Sequence, residues 1–480
     1  MSLSEKNEKA DEIDAPGDTA LVRKVDLRLI PILTLLYLLS FLDRTNIGNA
    51  KILGLTTDLH IPGSQYNTAL ALYFVAYVIF EVPANIILKK FDPQIWLPTL
   101  TLLWGLASTF QGLVRNQAGL FGIRFLLGVT EAGLFPGVIF LFSVYYRRQE
   151  RSWRVAIFFG GAALAGAFGG MCNYLLLTRH AHVPVGILAF GIGKMDGVGG
   201  RRGWEWIFII EGVITAAISI LAYFIVPTWS YRAKFLTGEE RARLLTRLKT
   251  DSDASREEKF EWFFVLQAFT DHLAWAYAML FHGFAFVLYS LSLFLPTIIT
   301  GLGMTVPPNA LASITIWTTV WISSRLNLRA PFIIGSAFVA ILGYIIIMTG
   351  PTAGAQYVGV HLAAAGVYTG NALLLSWPSE NVSGQTKRAV AVAMQITIGD
   401  IGAIAGVLVY RPELSGDRFR KPHLISIGYL LFSAAVATYL WVWMSRENQR
   451  RDAIAEEGKD IEEEDSERLG DRSLRYRYAI

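Results

Sequence analysis

Apolar stretches of roughly twenty residues recur twelve times along this chain, at about 27–46, 67–88, 95–114, 119–145, 154–177, 204–227, 272–300, 308–323, 331–350, 354–376, 388–410 and 424–444. A helix needs about 20 apolar residues to cross a hydrocarbon core of about 30 Å. Inside that core each backbone N–H and C=O must find a partner within the protein, so the stretches have to be helices. The chain is 53% hydrophobic and 17% charged, where a water-soluble domain carries about a quarter charged residues. The expectation is an all-α, multi-pass membrane protein lying in a lipid bilayer. The net charge of +4 is spread over loops, so no nucleic-acid partner is expected. The single cysteine, Cys172, excludes an intrachain disulfide framework. Met1–Thr19 is polar and acidic, unlike a cleavable signal peptide, so the first span is expected to direct insertion. The sequence holds no metal-ligand spacing, nucleophile elbow or phosphate loop, so neither an enzyme nor a cofactor or metal is expected.

A polar segment over about 228–271 divides the spans six and six. The predicted organisation is a tail (1–26), a six-helix bundle (27–227), the central segment (228–271), a second six-helix bundle (272–445) and an acidic tail (446–480). Within the central segment, Thr237 to Lys249 reads as a short amphipathic helix with Thr237 as N-cap and Glu240 at the third position. Glu456 to Asp465 reads as a solvated acidic run. An even span count puts both tails on one side. Lys89, Lys90, Arg147, Arg148, Arg151, Arg325, Arg329, Lys387 and Arg388 fall in loops on that side, which predicts cytoplasmic tails. The opposite side is not clean: Arg179, Lys194, Arg201 and Arg202, and Arg411, Arg418, Arg420 and Lys421, lie in its loops.

Charges at membrane depth cost a few kcal/mol or more and mark function. Arg124 and Glu131 sit seven residues apart in an apolar run, on one helix face. Two bundles around a midplane site suggest a rocking carrier. A carboxylate substrate needs a cation in a low-dielectric site, and the guanidinium fork suits it; Arg44 and Arg124 are the candidates. Proton coupling needs a carboxylate that can change state, Glu131 first and Asp43 second. The alternatives are a static Arg124–Glu131 pair and an Arg44 that reaches for headgroups. Asn371, Gln395 and His282 are further substrate-binding candidates; Asn371 and Gln395, like Asp400, serve equally well as interhelical glue. Glu81 and Pro83, at the cytoplasmic end of helix two, read as gate or packing residues, and Glu211 and Glu380 as clasps near the cytoplasmic ends or loops. The small-residue run Gly160–Gly170 lets helix five pack closely on a neighbour. Trp96, Trp204, Trp206, Trp441 and Trp443 read as interface anchors. The sequon at Asn381 falls on the cytoplasmic side, so no glycan is expected.

Arg124-x3-Gly128-x2-Glu131-Ala-Gly133 resembles the fourth-helix signature of the major facilitator superfamily. Glu81-Val-Pro-Ala-Asn85 with Lys89-Lys-Phe91, and Phe41 to Ala50, are similar to the anion:cation symporter family. Lys194 to Gly212 and Trp377 to Arg388 resemble its fungal allantoate-permease branch, which includes carriers for nicotinate, pantothenate and other small carboxylates. The resemblance covers about 20–450. It implies the major facilitator fold of twelve helices in two bundles, and proton-coupled uptake of a small organic anion by alternating access. It supports anion-binding roles for Arg44 and Arg124 and structural roles for Gly128 and Gly133. A monomer in the plasma membrane is expected. An exporter of the same superfamily is the rival reading, but exporters carry a glycine-proline signature in helix five and no proline lies between Arg154 and Thr178. A nutrient sensor on the same fold is a further alternative, although the tails are short for one.

Two places depart from the family pattern. Met171 to Ile187 interrupts the glycine-rich helix five and reads as a retained intron. Helix eight keeps only about 14 apolar residues, Asn309 to Ile322, or roughly 21 Å. It is expected to borrow residues from Val306 onward or to thin the bilayer.

Overall fold

The computed structural model describes residues 18–147, 150–151, 153–161, 195–250, 261–302, 309–410, 419–456 and 470–480. Their regular structure is helical: α1 (Asp18–Ile52), α2 (Leu55–Asp58), α3 (Gly63–Lys90), α4 (Pro93–Gln111), α5 (Gln117–Glu131), α6 (Leu134–Tyr145), α7 (153–161), α8 (Gly203–Ile225), α9 (Gly238–Thr250), α10 (Trp262–Phe269), α11 (His272–Gly301), α12 (Asn309–Leu326), α13 (Ala330–Thr349), α14 (Ala353–Asn381), α15 (Gln385–Val409) and α16 (Arg420–Glu456). Among the described residues, nine segments are long and apolar enough to cross a membrane. The suspected insert at 171–187 lies outside the described residues.

The helices pack as two sets. In the first, α3 packs on α5, and α8 on α4 and α1; in the second, α11 packs on α15 and α16, and α14 on α12 and α13. The sets meet where α3 faces α15 and where α1 faces α11. Close approach within the first set depends on glycine. A Cβ on Gly128 would stand 2.2 Å from the Tyr73 carbonyl oxygen, and one on Gly133 would meet Leu100 and Ala84 at 2.7 and 2.9 Å. In α7, Gly160 lies against Trp317 of the second set and Gly161 against Thr34 of α1.

The fourth span is two helices. Pro136 has no N–H for the carbonyl four residues back, and the chain turns at Ala132–Gly133, directly after Glu131. The eighth span, α12, has 18 residues, about 27 Å. The described helix runs from Asn309 through Leu326; Val306, the expected source of extra length, lies outside the described residues.

The first and last spans begin and end on what we term the tail side, together with the central segment. There Thr237 and Glu240 form the expected reciprocal cap, with Thr237 N donating to Glu240 at 2.8 Å and Glu240 N to Thr237 Oγ1 at 3.2 Å. Lys24 pairs with Glu240 at 2.7 Å and Arg243 with Asp18 at 2.6 Å, which binds α9 to the start of α1. The polar central segment ends differently from its sequence expectation: α10 exposes Trp262, Phe263, Leu266 and Phe269, an apolar face suited to the membrane interface. Trp204, expected as an interface anchor, is buried and donates to Asp58 at 2.9 Å.

Candidate functional site

Arg44 is the hub of the midplane. Its Nη2 donates to Glu131 Oε1 at 2.6 Å, and its Nη1 donates to Tyr289 Oη at 2.6 Å. The rings of Tyr73, Tyr77 and Tyr289 surround the guanidinium, their centroids 5.0, 5.5 and 5.4 Å from Cζ. Ser40, one turn earlier in α1, donates to the same Glu131 oxygen. Arg44 and Glu131 are 5% and 1% exposed, so Arg44 faces the interior rather than headgroups. Glu131 comes from the first helix set and Tyr289 from the second, so this one cation joins the two.

Arg124 and Glu131 share a face of α5, yet they do not form an ion pair. Seven residues are about 10.5 Å of rise, and Glu131 at the end of α5 reaches across to α1 instead. Gly128, between them on the same face, brings α5 onto Tyr73. Arg124 is fully buried, and its Nε and Nη2 have no hydrogen-bond partner among the described residues. Arg44 Nε is likewise unpartnered, and the Tyr73 hydroxyl lies close to the Glu131 carboxylate. Burying a polar group without a partner costs about 1–3 kcal/mol, and more when it is charged. Unspent guanidinium donors beside a tyrosine cage are a chemistry that receives a carboxylate.

Asp43 follows a different course from its neighbour. Successive helix residues point about 100° apart, and Asp43 turns toward α4 and α8. It accepts from Trp104 Nε1 at 3.1 Å, Ser108 Oγ at 2.8 Å and Thr215 Oγ1 at 3.4 Å, all neutral donors.

Across the set boundary, Thr397 of α15 donates to Glu81 Oε2 at 2.9 Å, and Glu81 lies in electrostatic range of Asp400. Asp400 in turn lies in electrostatic range of Arg44 and Glu131. Glu81 is fully buried where α3 meets α15, rather than at the tail-side end of its helix. On the face away from the tails, Asn67 Nδ2 donates to the Val407 and Tyr410 carbonyls at 2.9 and 3.0 Å and closes α3 against the end of α15. On the tail side a cavity of about 70 Å³ opens between the sets, lined by Asn85, Pro136 and Ser143 on one wall and Ser379, Arg388 and Val392 on the other.

The profile of the Major Facilitator Superfamily matches residues 33–407. The chain belongs to the major facilitator superfamily. It is 31% identical to the high-affinity nicotinic acid transporter of Saccharomyces cerevisiae, over 96% of this chain and 85% of that one. It is 34% identical to an MFS-type transporter of Penicillium expansum, over 96% and 90%. Its structure resembles that of a proton:xylose symporter bound to 6-bromo-6-deoxy-D-glucose, with a TM-score of 0.64 at 12% identity, over 87% and 96%. The two helix sets are therefore the two six-helix bundles of this fold, and the fungal relatives support the branch that holds the nicotinic acid carrier. The protein is a multi-pass membrane transporter of small molecules and not an enzyme.

Several sequence candidates occupy places in this superfamily fold other than those expected. His282 lies in a groove between α11 and α16 on the outside of the second bundle, with Nδ1 2.8 Å from the Ile398 carbonyl, away from the Arg44 cage. Gln395 donates to the Leu374 carbonyl at 3.0 Å; Pro378 has no N–H for that carbonyl, so the side chain supplies the missing donor and ties α15 to α14. Asn371 donates to Val367 O in its own helix at 2.8 Å, while its Oδ1 and the Gln395 Oε1 have no partner among the described residues. Glu211, expected near the cytoplasmic ends, is buried in α8 and accepts from Asn46 of α1. Glu380 does lie on the tail side, 3.4 Å from Arg329. Pro83 is an exposed residue within α3. The tyrosine cage is absent from the sequence expectations. Its local signals are the four-residue spacing of Tyr73 and Tyr77 and the tyrosine Tyr289 within an apolar run.

Proposed function

We propose that this transporter is a proton-coupled carrier of small organic monocarboxylates, nicotinate-like or pantothenate-like first and allantoate-like second. The observation that carries the reading is the buried Arg44–Glu131 pair, set in tyrosine rings from both bundles beside an Arg124 whose guanidinium has donors to spare. A substrate carboxylate takes the Arg44 fork in place of Glu131, with Arg124 as the second cation. Glu131 is then a carboxylate without its cation in an apolar site, and such a group binds a proton rather than stay charged. Substrate and proton enter together, and neither bundle is left holding an unbalanced charge. Asp43 and Asp400 are the carboxylates through which the proton is passed on. The cage rings offer flat faces to an aromatic acid. Asn67 acts as the latch of the side away from the tails, and the Glu81–Thr397 contact as the midplane seam that parts when the bundles rock. We place both tails in the cytoplasm, on the strength of the basic loops, and the protein in the plasma membrane as a monomer.

The test is uptake of a radiolabelled carboxylate panel (nicotinate, pantothenate, allantoate) in fungal cells stripped of their own carriers, with and without a protonophore. Concentrative uptake of one member, collapsed by the protonophore, is the expected result. Uptake of none, or uptake indifferent to the protonophore, contradicts the reading.

A further inference from the structure

Residues 470–480 lie against the tail-side end of the second bundle and are held by four of its elements. Lys387 of α15 donates to both carboxylate oxygens of Asp471 at 2.7 Å and pairs with Asp271, just ahead of α11, at the same distance. Asn448 of α16 reads Tyr478 twice: its Nδ2 donates to the carbonyl and its Oδ1 accepts the amide, both at 2.9 Å. Asn381 of α14 does the same for Ala479, at 3.0 and 2.7 Å. Trp377 Nε1 donates to Ala479 O at 2.8 Å, and Arg329 N at the start of α13 donates to Ile480 O at 2.7 Å. Arg451 donates to the carbonyls of Asp471 and Tyr476 and lies over the Tyr478 ring.

Apart from one 3-10 turn at Gly470–Arg472, this segment has no regular structure. Its backbone is instead satisfied by side chains, with two asparagines copying the paired bonds of a neighbouring strand. That is the chemistry of a peptide in a groove rather than of a folded element. The polypeptide joins it to the end of α16 only through residues 457–469. Behind it stands the stretch from Ser379 to Arg388, whose ends wall the tail-side cavity. Pro378 weakens the last turns of α14, and the bonds from the segment to Trp377, Glu380 and Asn381 brace that place.

We propose that residues 470–480 form a detachable strap which fixes the 379–388 wall of the tail-side cavity, so that its docking and release govern access from that side. Every partner of the strap named above belongs to the second bundle, so it stiffens one wall and does not lock the bundles together. The inference does not depend on which substrate is carried.

The test uses maleimide labelling of a Ser379→Cys carrier in a Cys172→Ser background, in open membrane fragments. Ending the chain after Glu456 is expected to speed labelling roughly tenfold, as local opening becomes easier. A synthetic peptide spanning 470–480 should restore protection, while the same peptide with Asp471→Ala and Tyr478→Ala should not. If the shortened carrier fails to fold by size-exclusion chromatography, the full chain carrying Asn381→Ala and Asn448→Ala takes its place, with the same acceleration expected. Equal or slower labelling, or a folded shortened carrier that the native peptide does not protect, overturns the proposal.

Discussion

Two of the buried ionic clusters among the described residues are built on opposite principles. At the tail end, Lys387 sits between Asp271 and Asp471 at 2.7 Å from each. At the midplane, Arg44 shares one Glu131 oxygen with Ser40, while Arg44 Nε and two of the Arg124 nitrogens find no partner among the described residues. A buried ion pair returns its desolvation cost only when its hydrogen bonds are complete. The tail cluster meets that condition and reads as scaffolding. The midplane cluster falls short of it and keeps donors in reserve, which is the arrangement of a site that exchanges partners.

Substitutions can break this contrast, beginning with the largest effect. Arg44→Lys keeps the charge but removes the fork that holds Glu131 and Tyr289 together. Uptake of the carried acid should fall by about 100-fold or more, the loss expected when a buried charged hydrogen bond worth about 3 kcal/mol goes, with membrane levels of the protein unchanged. Equal uptake by the lysine variant would make the midplane pair scaffolding as well. Next is Lys387→Met, which strands two buried carboxylates. It should destabilise the purified carrier by about 3–5 kcal/mol, read as a lower thermal midpoint. By contrast, Arg44→Met with Glu131→Leu removes a poorly satisfied pair together, and should leave that midpoint unchanged or raise stability by up to about 4 kcal/mol, while abolishing uptake.

The smallest effect lies at the surface. Lys24, foremost, and the Thr237 amide hold the Glu240 carboxyl below its ordinary value. A lowered value means that this contact adds stability above the ordinary carboxylate pKa of about 4.3 and loses it as pH falls through the lowered value. Glu240→Gln should therefore lower the thermal midpoint slightly at neutral pH and not at all in strong acid. A difference that persists in acid would assign the effect to the cap geometry alone.

Most of the architecture was legible because a bilayer admits so few solutions: length and hydropathy alone give the spans, and Thr237 with Glu240 gives the cap. The candidate site was legible as a set of buried charges and not in its pairing. Arg44, Arg124 and Glu131 stand out as charges in apolar runs, but which of them meet is decided by the break at Ala132–Gly133 and by the approach of α5 to α3 at Gly128, both tertiary facts. Gln395 shows the same limit. A buried amide in an apolar helix suits a ligand or a neighbour equally, and only the orphaned Leu374 carbonyl below Pro378 decides for the neighbour. The strap was not legible at all: residues 470–480 have no periodicity, and their bonds run mostly from backbone to distant side chains.

The central claim, that Glu131 carries the proton when a substrate carboxylate takes Arg44, is tested most directly with Glu131→Gln in proteoliposomes. Glutamine keeps the shape and cannot titrate. This variant should still exchange labelled for unlabelled nicotinate across the membrane, yet no longer accumulate it under an imposed proton gradient. Accumulation that still follows the proton gradient in the glutamine variant would contradict it.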